Sequence, residues 1–88
     1  MKYIVYLLIS QNTPKLISYV GYTNNLKKRL NLHNSGKGAK FTRGRLWKLI
    51  YKEQFKSKNK AISREYYIKK SRSLRNKIKN ENFNIITL

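Results

Sequence analysis

Two apolar stretches near the start of the chain have the pattern of β-strands. Residues 3–9 form an unbroken run of aromatic, β-branched and aliphatic side chains, which is typical of a strand buried on both faces. Turn-forming residues follow, and residues 16–20 resume the apolar pattern, so the two runs predict an antiparallel hairpin. If the turn centres between residues 12 and 13, Tyr6 lies opposite Tyr19. Moving that centre by one residue keeps both side chains on one face.

The pattern changes to a helical period after Gly21, where we expect the second strand to end. Thr23 or Asn24 is suited to cap the helix that follows. Four residues share the helix face that should meet the hairpin, and they are Leu26, Arg29, Leu30 and His33. Two interpretations stay open for the polar pair. Arg29 either keeps its charge in water at the core edge or takes part in chemistry, and His33 is either a hydrogen-bonded helix residue or a functional one.

Further elements follow from the same kind of pattern. They are a strand at residues 47–55, a helix from about residue 58 to residue 71 capped by Ser57, and a Lys/Arg-rich helix at residues 72–80. In the strand, Trp47, Leu49 and Tyr51 alternate and should share one side. Residues 82–88 return to apolar character and are expected to pack as a terminal strand.

One acidic residue interrupts the apolar stripe of the helix at residues 58–71. Ala61, Ile62 and Ile68 occupy that stripe, and Glu65 stands among them where an apolar residue is expected. A carboxylate on a buried stripe needs a partner. Helical geometry leaves two partners open: Arg29 in a structural ion pair, or a divalent cation.

Charge narrows the classes of function. The 88 residues include 21 Lys and Arg against three Asp and Glu, which gives a formal net charge of +18. This excess favours a nucleic acid as partner over a membrane surface, because phosphate backbones release counterions when cations bind them. The competing interpretation is a composition rich in Lys, Asn and Ile that an AT-rich genome imposes on all its proteins.

A basic loop punctuated by glycine follows the first helix, at residues 35–45. It lacks the spacing of a phosphate-binding P-loop. It is therefore either a solvated connector or a clamp on a nucleic-acid backbone, with Phe41 available to stack on a base. The cations that we expect to contact nucleic acid lie here and on the helix, and they are Lys27, Lys28, Lys37, Lys40, Arg43 and Arg45.

Composition also excludes several kinds of site. The chain has no cysteine and one histidine, so disulfides, thiolate metal sites and histidine zinc clusters are excluded. With three acidic side chains, a metal-dependent nuclease of this sequence would hold one ion through one or two protein ligands. We expect a cytoplasmic protein of one domain without a membrane span, because no apolar run approaches the roughly 20 residues that cross a bilayer.

Taken together, these residues resemble the GIY-YIG nuclease superfamily. The two halves of its signature appear as Ile4-Val5-Tyr6 and Tyr19-Val20-Gly21, and the following helix carries Arg29. Residues 61–65, which end at Glu65, are similar to the helix that provides the family's metal-binding glutamate. The likeness extends from residue 3 to about residue 80 and is closest to small stand-alone bacterial members. It extends to nuclease domains of excision-repair incision subunits and of structure-specific endonucleases.

This resemblance implies an α+β fold, a three-stranded antiparallel sheet flanked by helices, over residues 1–80 with a C-terminal tail at residues 81–88. It implies hydrolysis of DNA phosphodiester bonds with one Mg²⁺ or Mn²⁺. The implied catalytic residues are Tyr6 and Tyr19 as the water-activating pair, Arg29 on the phosphate, His33 assisting, and Glu65 on the metal. Two positions depart from the family pattern: Ile4 replaces its glycine, and Tyr22 stands where some branches have lysine.

Three functions follow as hypotheses. The first is a metal-dependent endonuclease acting on duplex or branched DNA, in repair or defence. The second is a non-catalytic nucleic-acid-binding module of the same fold, and the third is an accessory protein of translation or RNA metabolism. The retained tyrosines, Arg29 and Glu65 favour the first. Small size favours the second and leaves room for a protein partner that supplies substrate recognition; DNA is favoured over RNA, and the oligomeric state stays open.

Overall fold

The computed structural model describes residues 2–12 and 15–81, which form one antiparallel sheet with helices on both faces. The elements in chain order are β1 (Tyr3–Asn12), β2 (Lys15–Thr23), α1 (Leu26–Asn34), a 3-10 turn (Lys40–Thr42), β3 (Lys48–Phe55), α2 (Lys58–Lys70) and α3 (Arg72–Glu81). The strand order is β2-β1-β3. The expected α+β fold is confirmed. The terminal strand predicted at residues 82–88 lies outside the described residues.

β1 is the central strand, and its alternating side chains contribute to two separate cores. One core lies under α2 and α3, and its buried members are Val5, Leu7, Ile9, Val20, Ala61, Ile68 and Ile78. The other lies under α1, where Tyr6 and Leu8 are buried with Trp47, and Leu26 and Leu30 of α1 pack against them. Burial on both faces explains the unbroken apolar run of β1.

The hairpin register differs from the one predicted, but Tyr6 and Tyr19 still share one face of the sheet. Tyr6 pairs with Gly21 and Leu8 pairs with Tyr19, so direct opposition of the two tyrosines is wrong. The pairing has moved by two residues, and side chains alternate with period two. Tyr6 and Tyr19 therefore stay on one face as diagonal neighbours.

β2 continues through Gly21 to Thr23, so the prediction that the glycine ends the strand is wrong. The missing side chain of Gly21 instead leaves room for the Tyr6 ring on the face of the sheet. A Cβ atom at Gly21 would lie 2.5 Å from the Tyr6 hydroxyl oxygen and 2.7 Å from its Cζ atom. α1 is capped by Asn25, whose side chain accepts a hydrogen bond at 3.1 Å from the backbone N–H at the third helical position. The predicted caps, Thr23 and Asn24, are thus displaced by one or two residues.

β3 contains a bulge that the regular alternation of its sequence conceals. Leu7 and Leu8, adjacent on β1, pair with Tyr51 and Leu49, which leaves Ile50 as an extra residue. Leu49 packs in the core under α1, whereas Tyr51 packs in the core under α2. The expectation that Tyr51 shares a side with Leu49 is therefore wrong.

α2 and α3 cover the face opposite α1. Ser57 caps α2 as predicted, since its hydroxyl accepts from the backbone N–H of Lys60 at 3.4 Å. The stripe of α2 is narrower than expected, because Ala61 and Ile68 are fully buried while Ile62 is 39% exposed. Within the described ranges, no helix combines the length and the apolar character that crossing a membrane requires.

Candidate active site

Three aromatic side chains from three elements meet under α1. β1 contributes Tyr6, β2 contributes Tyr19, and α1 contributes His33. The ring centroids of the two tyrosines are 6.4 Å apart, and the His33 ring lies 5.8 Å from Tyr6 and 4.9 Å from Tyr19. Tyr6 and His33 are buried, whereas Tyr19 is half-buried. The hairpin and α1 thus bring together the two tyrosines and the histidine predicted from sequence.

A chain of hydrogen bonds runs through the buried part of this cluster. The Tyr6 hydroxyl lies 2.8 Å from His33 Nε2, and His33 Nδ1 lies 3.0 Å from Thr42 Oγ1. Thr42 directs its own hydroxyl proton to the carbonyl oxygen of Ala39 at 2.8 Å. A threonine hydroxyl has one proton, so Thr42 Oγ1 accepts from His33 Nδ1–H, and His33 Nε2 accepts from the Tyr6 hydroxyl.

Arg29 lies one helical turn before His33 on α1 and interacts electrostatically with Tyr6 and Tyr19. These contacts raise the pKa of Arg29, the hydrogen bond with Tyr6 being the largest cause. Arg29 also lines an open cleft with Tyr3, Tyr22, Thr23, Asn24 and Lys58.

Burial fixes the protonation states of the inner residues at neutral pH. Burial raises the pKa of Tyr6 to about 12; the negative charges of Tyr19 and Glu65 add to the rise, and Arg29 opposes it. Burial, and then the charge of Arg29, lower the pKa of His33. Tyr6 is therefore a neutral phenol and His33 a neutral imidazole, as the hydrogen-bond chain requires.

Glu65 pairs with a residue that the sequence interpretation did not consider. Its carboxylate lies 2.6 Å from the ammonium of Lys69, one helical turn later, and its side chain is 15% exposed. Of the two partners that the sequence leaves open, the described residues show no ion pair of Glu65 with Arg29. The i, i+4 spacing of Glu65 and Lys69 was the signal that could have found the observed partner. The negative charge of Glu65 is also the smallest of the causes that raise the pKa of Tyr6.

The donor set near the tyrosines fits one mode of metal binding. No group of three or more His, Asp or Glu side chains suited to a metal ion is found in residues 2–12 and 15–81. Mg²⁺ commonly keeps several waters and is held by one or two carboxylates together with phosphate oxygens of the substrate. A single carboxylate, Glu65, is compatible with that mode. Of the other acidic residues, Glu53 is paired with Arg64 at 2.9 Å, and Glu81 is exposed at the end of α3.

The cations predicted to contact nucleic acid lie on α1 and in the loop after it. Lys27, Lys28 and Lys37 line a shallow cleft beside α1. Lys40 and Arg43 are exposed. Arg45 is half-buried, its guanidinium carbon lies 5.8 Å from the centre of the Phe41 ring, and its Nη1 atom has no hydrogen-bond partner within the described ranges.

The basic loop is anchored rather than loosely solvated. Thr42 is fully buried, and its carbonyl oxygen accepts from the indole N–H of Trp47 at 2.9 Å. The side chain of Asn34 adds a second connection, because its Oδ1 atom accepts from the Trp47 backbone N–H at 2.6 Å. Phe41, which is 53% exposed, stacks against Tyr19 with ring centroids 6.3 Å apart. The loop therefore joins the tyrosine cluster, and Thr42 is a member that no sequence signal revealed.

Known proteins similar to this chain indicate one family. A family model described as the GIY-YIG catalytic domain matches residues 2–80. UPF0213 proteins of Clostridium perfringens and Bacillus licheniformis are 62% and 60% identical to this chain over 53 residues, which is 59% of this chain and 57% and 55% of theirs. The chain thus spans little more than half the length of these relatives.

Two other matches cover more of the chain. A UPF0213 protein of Limosilactobacillus reuteri is 44% identical over 71 residues, which is 77% of this chain and 71% of that protein. The solution NMR structure of a UPF0213 protein from Bacillus halodurans superimposes with a TM-score of 0.53 at 38% identity, covering 89% of this chain and 82% of that chain.

Proposed function

Since this chain belongs to the GIY-YIG catalytic domain family, we propose that it is a metal-dependent endonuclease that hydrolyses DNA phosphodiester bonds. The observation that carries the proposal is the grouping of Tyr6, Tyr19, Arg29 and His33 under α1, with the charge of Glu65 acting on the same cluster. A protein that only binds nucleic acid has no need of a half-buried carboxylate beside a polyanion.

Arg29 is the proposed contact to the scissile phosphate. Its interactions with Tyr6 and Tyr19 raise its pKa and keep it charged, and Arg29 lines an open cleft. A guanidinium matches the non-bridging oxygens of a phosphodiester and stabilises the charge that develops on them in the transition state.

The two tyrosines are assigned different roles. Tyr6 is 1% exposed, and its hydroxyl donates a hydrogen bond to His33. Its pKa is raised to about 12, so Tyr6 is unsuited to accept a proton from water at neutral pH. Tyr19 is half-buried and borders a cleft at the edge of β2 together with Lys69. We assign Tyr19 to orient the attacking water, and Tyr6 and His33 to hold Arg29 and Tyr19 in place.

Glu65 is the residue that would hold the metal. A bound Mg²⁺ or Mn²⁺ supplies polarisation of the scissile phosphate and stabilises the departing oxygen. Lys69, the present partner of the carboxylate, borders the same cleft as Tyr19. If Glu65 held the ion, Lys69 would lose its present partner, and its ammonium could bind a phosphate oxygen of the substrate.

The proposed substrate is DNA, in repair or defence, on the strength of the family resemblance. The net charge of +18 supports binding to any phosphate backbone. We propose that the DNA backbone is contacted by Lys27, Lys28 and Lys37, which border one cleft. Three further cations of the basic loop are proposed to contact it as well. Those three are Lys40, Arg43 and Arg45.

Two substitutions test this function directly. Glu65→Gln and Arg29→Ala should each lower cleavage of plasmid and branched DNA by at least about 100-fold in Mg²⁺ or Mn²⁺, because each removes a group that acts on the reacting phosphate. Binding of the same DNA should change by only a few fold. Glu81→Gln and Arg72→Ala, both at exposed positions of α3, are the matched controls and should cleave as the wild type does.

The decisive contrary result is a wild-type protein that binds DNA but cleaves no member of a panel of duplex, branched and single-stranded substrates with either metal. Such a protein would be the non-catalytic nucleic-acid-binding module of the same fold. Cleavage retained in Glu65→Gln would instead reject the role assigned to the glutamate.

A further inference from the structure

We propose that Thr42 is a positioning residue, which sets the tautomer of His33 and thereby the direction of the hydrogen bond between His33 and Tyr6. Its effect on cleavage rests on the proposed nuclease function, whereas its effect on the histidine does not. Thr42 lies in the basic loop, outside both halves of the tyrosine signature and outside α1.

The number of protons along the hydrogen-bond chain fixes the tautomer of His33. Three side chains, each no more than 1% exposed, share two hydrogen bonds between Tyr6, His33 and Thr42. The Ala39 carbonyl oxygen accepts from the Thr42 hydroxyl at 2.8 Å and from its backbone N–H at 3.0 Å. This tight turn directs the hydroxyl proton away from the imidazole, so Thr42 presents a lone pair to His33 Nδ1.

The tautomer of His33 then determines what Tyr6 offers to Arg29. With the imidazole proton on Nδ1, the Tyr6 hydroxyl gives its single proton to Nε2 and keeps its lone pairs for the guanidinium. In the other tautomer, Nε2–H would occupy a lone pair of Tyr6, and the phenolic proton would have to turn elsewhere. Arg29 can only donate hydrogen bonds, so that arrangement weakens the contact that holds it.

Packing holds the basic loop and Thr42 directly against the His33 ring. A Cβ atom at Gly38 would lie 2.5 Å from His33 Nδ1 and 3.0 Å from its Cα, so the glycine allows the loop to lie directly against the ring. Thr42 is also fixed by the bond from Trp47 Nε1 to its carbonyl oxygen. Without the hydroxyl, the buried Nδ1–H would lose its acceptor, which is costly at a fully buried position.

The test compares Thr42→Val, which keeps the shape of the side chain but removes the acceptor, with Thr42→Ser, which keeps the hydroxyl. The full chain is labelled with ¹⁵N histidine, and its one histidine gives a single pair of ring nitrogen signals. Wild type and Thr42→Ser should both show a protonated Nδ1 and an unprotonated Nε2. Thr42→Val should shift the population toward protonated Nε2.

Cleavage kinetics supply the second readout. In Thr42→Val, kcat should fall on the order of tenfold, as for other residues that orient a functional group from behind, while KM stays within about twofold. Thr42→Ser should restore kcat. A general loss of structure would not be rescued by serine and would appear in the circular dichroism spectrum.

Each possible outcome decides the matter. A wild-type His33 protonated on Nε2, or a Thr42→Val protein with unchanged tautomer and unchanged kcat, overturns the proposal. If Thr42→Val does not fold, the wild-type and Thr42→Ser spectra still establish or reject the tautomer. If the wild type cleaves no DNA, the nuclease function fails, and the nitrogen spectra continue to report on Thr42 independently.

Discussion

Tyr6 and Tyr19 belong to the two strands of one hairpin, yet their surroundings give them different chemistry. Tyr6 is buried, and its hydroxyl lies 2.8 Å from His33 Nε2. Tyr19 is half-buried and stacks on Phe41 of the basic loop. Burial opposes the charged phenolate, so Tyr6, the more buried of the two tyrosines, is the less suitable base. This asymmetry follows from the diagonal register of the hairpin, which brings Tyr6 opposite Gly21.

The raised pKa of Tyr6 has a measurable effect on stability at alkaline pH. Its ordinary value is 10.0 and its value in the fold is about 12, so between these values the folded protein keeps a proton that the unfolded chain releases. The free energy of unfolding should therefore fall as pH rises from about 10 to about 12. Denaturant unfolding across this range measures it, and Tyr6→Phe should lack this component.

The same substitution gives a spectroscopic control. Burial raises the pKa of both Tyr6 and Tyr51, so the phenolate absorbance titration of the folded wild type should include two late-titrating tyrosines, and Tyr6→Phe should lose one of these two steps. At neutral pH, Tyr6→Phe should also cost about 1–3 kcal/mol of stability because the buried Nε2 of His33 loses its donor. A Tyr6→Phe protein whose late titration has the same amplitude as that of the wild type would contradict the assignment.

Gly21→Ala is expected to damage the site through a single methyl group. The added Cβ would lie 2.5 Å from the Tyr6 hydroxyl oxygen, so the ring must move away from His33. We expect a loss of about 1–3 kcal/mol of stability and of most cleavage activity. Gly36→Ala is the control: its φ of +79° makes alanine strained there, but no atom lies within 4 Å of the new Cβ.

Gly36→Ala should therefore lose about 1 kcal/mol of stability from backbone strain and retain its activity. Thermal unfolding and a plasmid-cleavage assay on both variants separate the two effects. Equal activity in Gly21→Ala and the wild type would show that the position of the Tyr6 ring does not matter for cleavage.

At the scale of elements, the sequence predicts the three strands and three helices because their apolar positions recur with the periods of two and 3.6 that each element requires. Such a pattern does not predict the bulge of β3. Trp47, Leu49 and Tyr51 alternate regularly, and the extra residue at Ile50 is revealed only by the pairing with β1. Bulges depend on how two strands fit, which one strand's sequence does not contain.

The sequence predicts most residues of the candidate site, but it does not predict which of them contact each other. The face of α1 that carries Arg29 and His33 follows from helical spacing. The partner of Glu65 and the place of Thr42 did not follow. Lys69 is one of many cations in a Lys-rich helix, and Thr42 stands in a loop whose composition indicates solvent exposure. Both contacts depend on tertiary packing.

Lys58, the first residue of α2, provides a test of the cleft beside Arg29, since both residues line it. If the cleft holds a backbone phosphate, Lys58→Ala should weaken DNA binding and lower the slope of log affinity against log salt by about one. The exposed Lys52 of β3 is the matched control, and Lys52→Ala should leave that slope nearly unchanged. Equal slopes for the two variants would remove the cleft from the binding surface.

At the scale of the whole molecule, the acidic residues do little to interrupt the positive field. Glu53 is paired with Arg64 at 2.9 Å and Glu65 with Lys69 at 2.6 Å. Each pair cancels a negative charge locally and leaves the excess of cations to act outward. A field of this kind accelerates association with a polyanion and is screened by salt over about 8–10 Å at physiological ionic strength.

Salt dependence tests this field as a whole. If the six predicted cations all contact phosphates, log affinity should fall with log salt with a slope of about −5 for duplex DNA. Fluorescence anisotropy with a labelled duplex from 50 to 300 mM salt measures the slope. A slope near zero would exclude the phosphate backbone as the main partner of these side chains.

Trp47, described above as an anchor of the basic loop, also makes the protein its own optical reporter. It is the chain's one tryptophan, it is 3% exposed, and its ring centroid lies 6.3 Å from Tyr19 and 6.2 Å from Phe41. Tyrosine excitation at such a distance transfers efficiently to an indole. The intrinsic emission therefore arises from the junction of the basic loop and the tyrosine cluster, and unlabelled nucleic acid arriving there can be followed by wavelength and intensity alone.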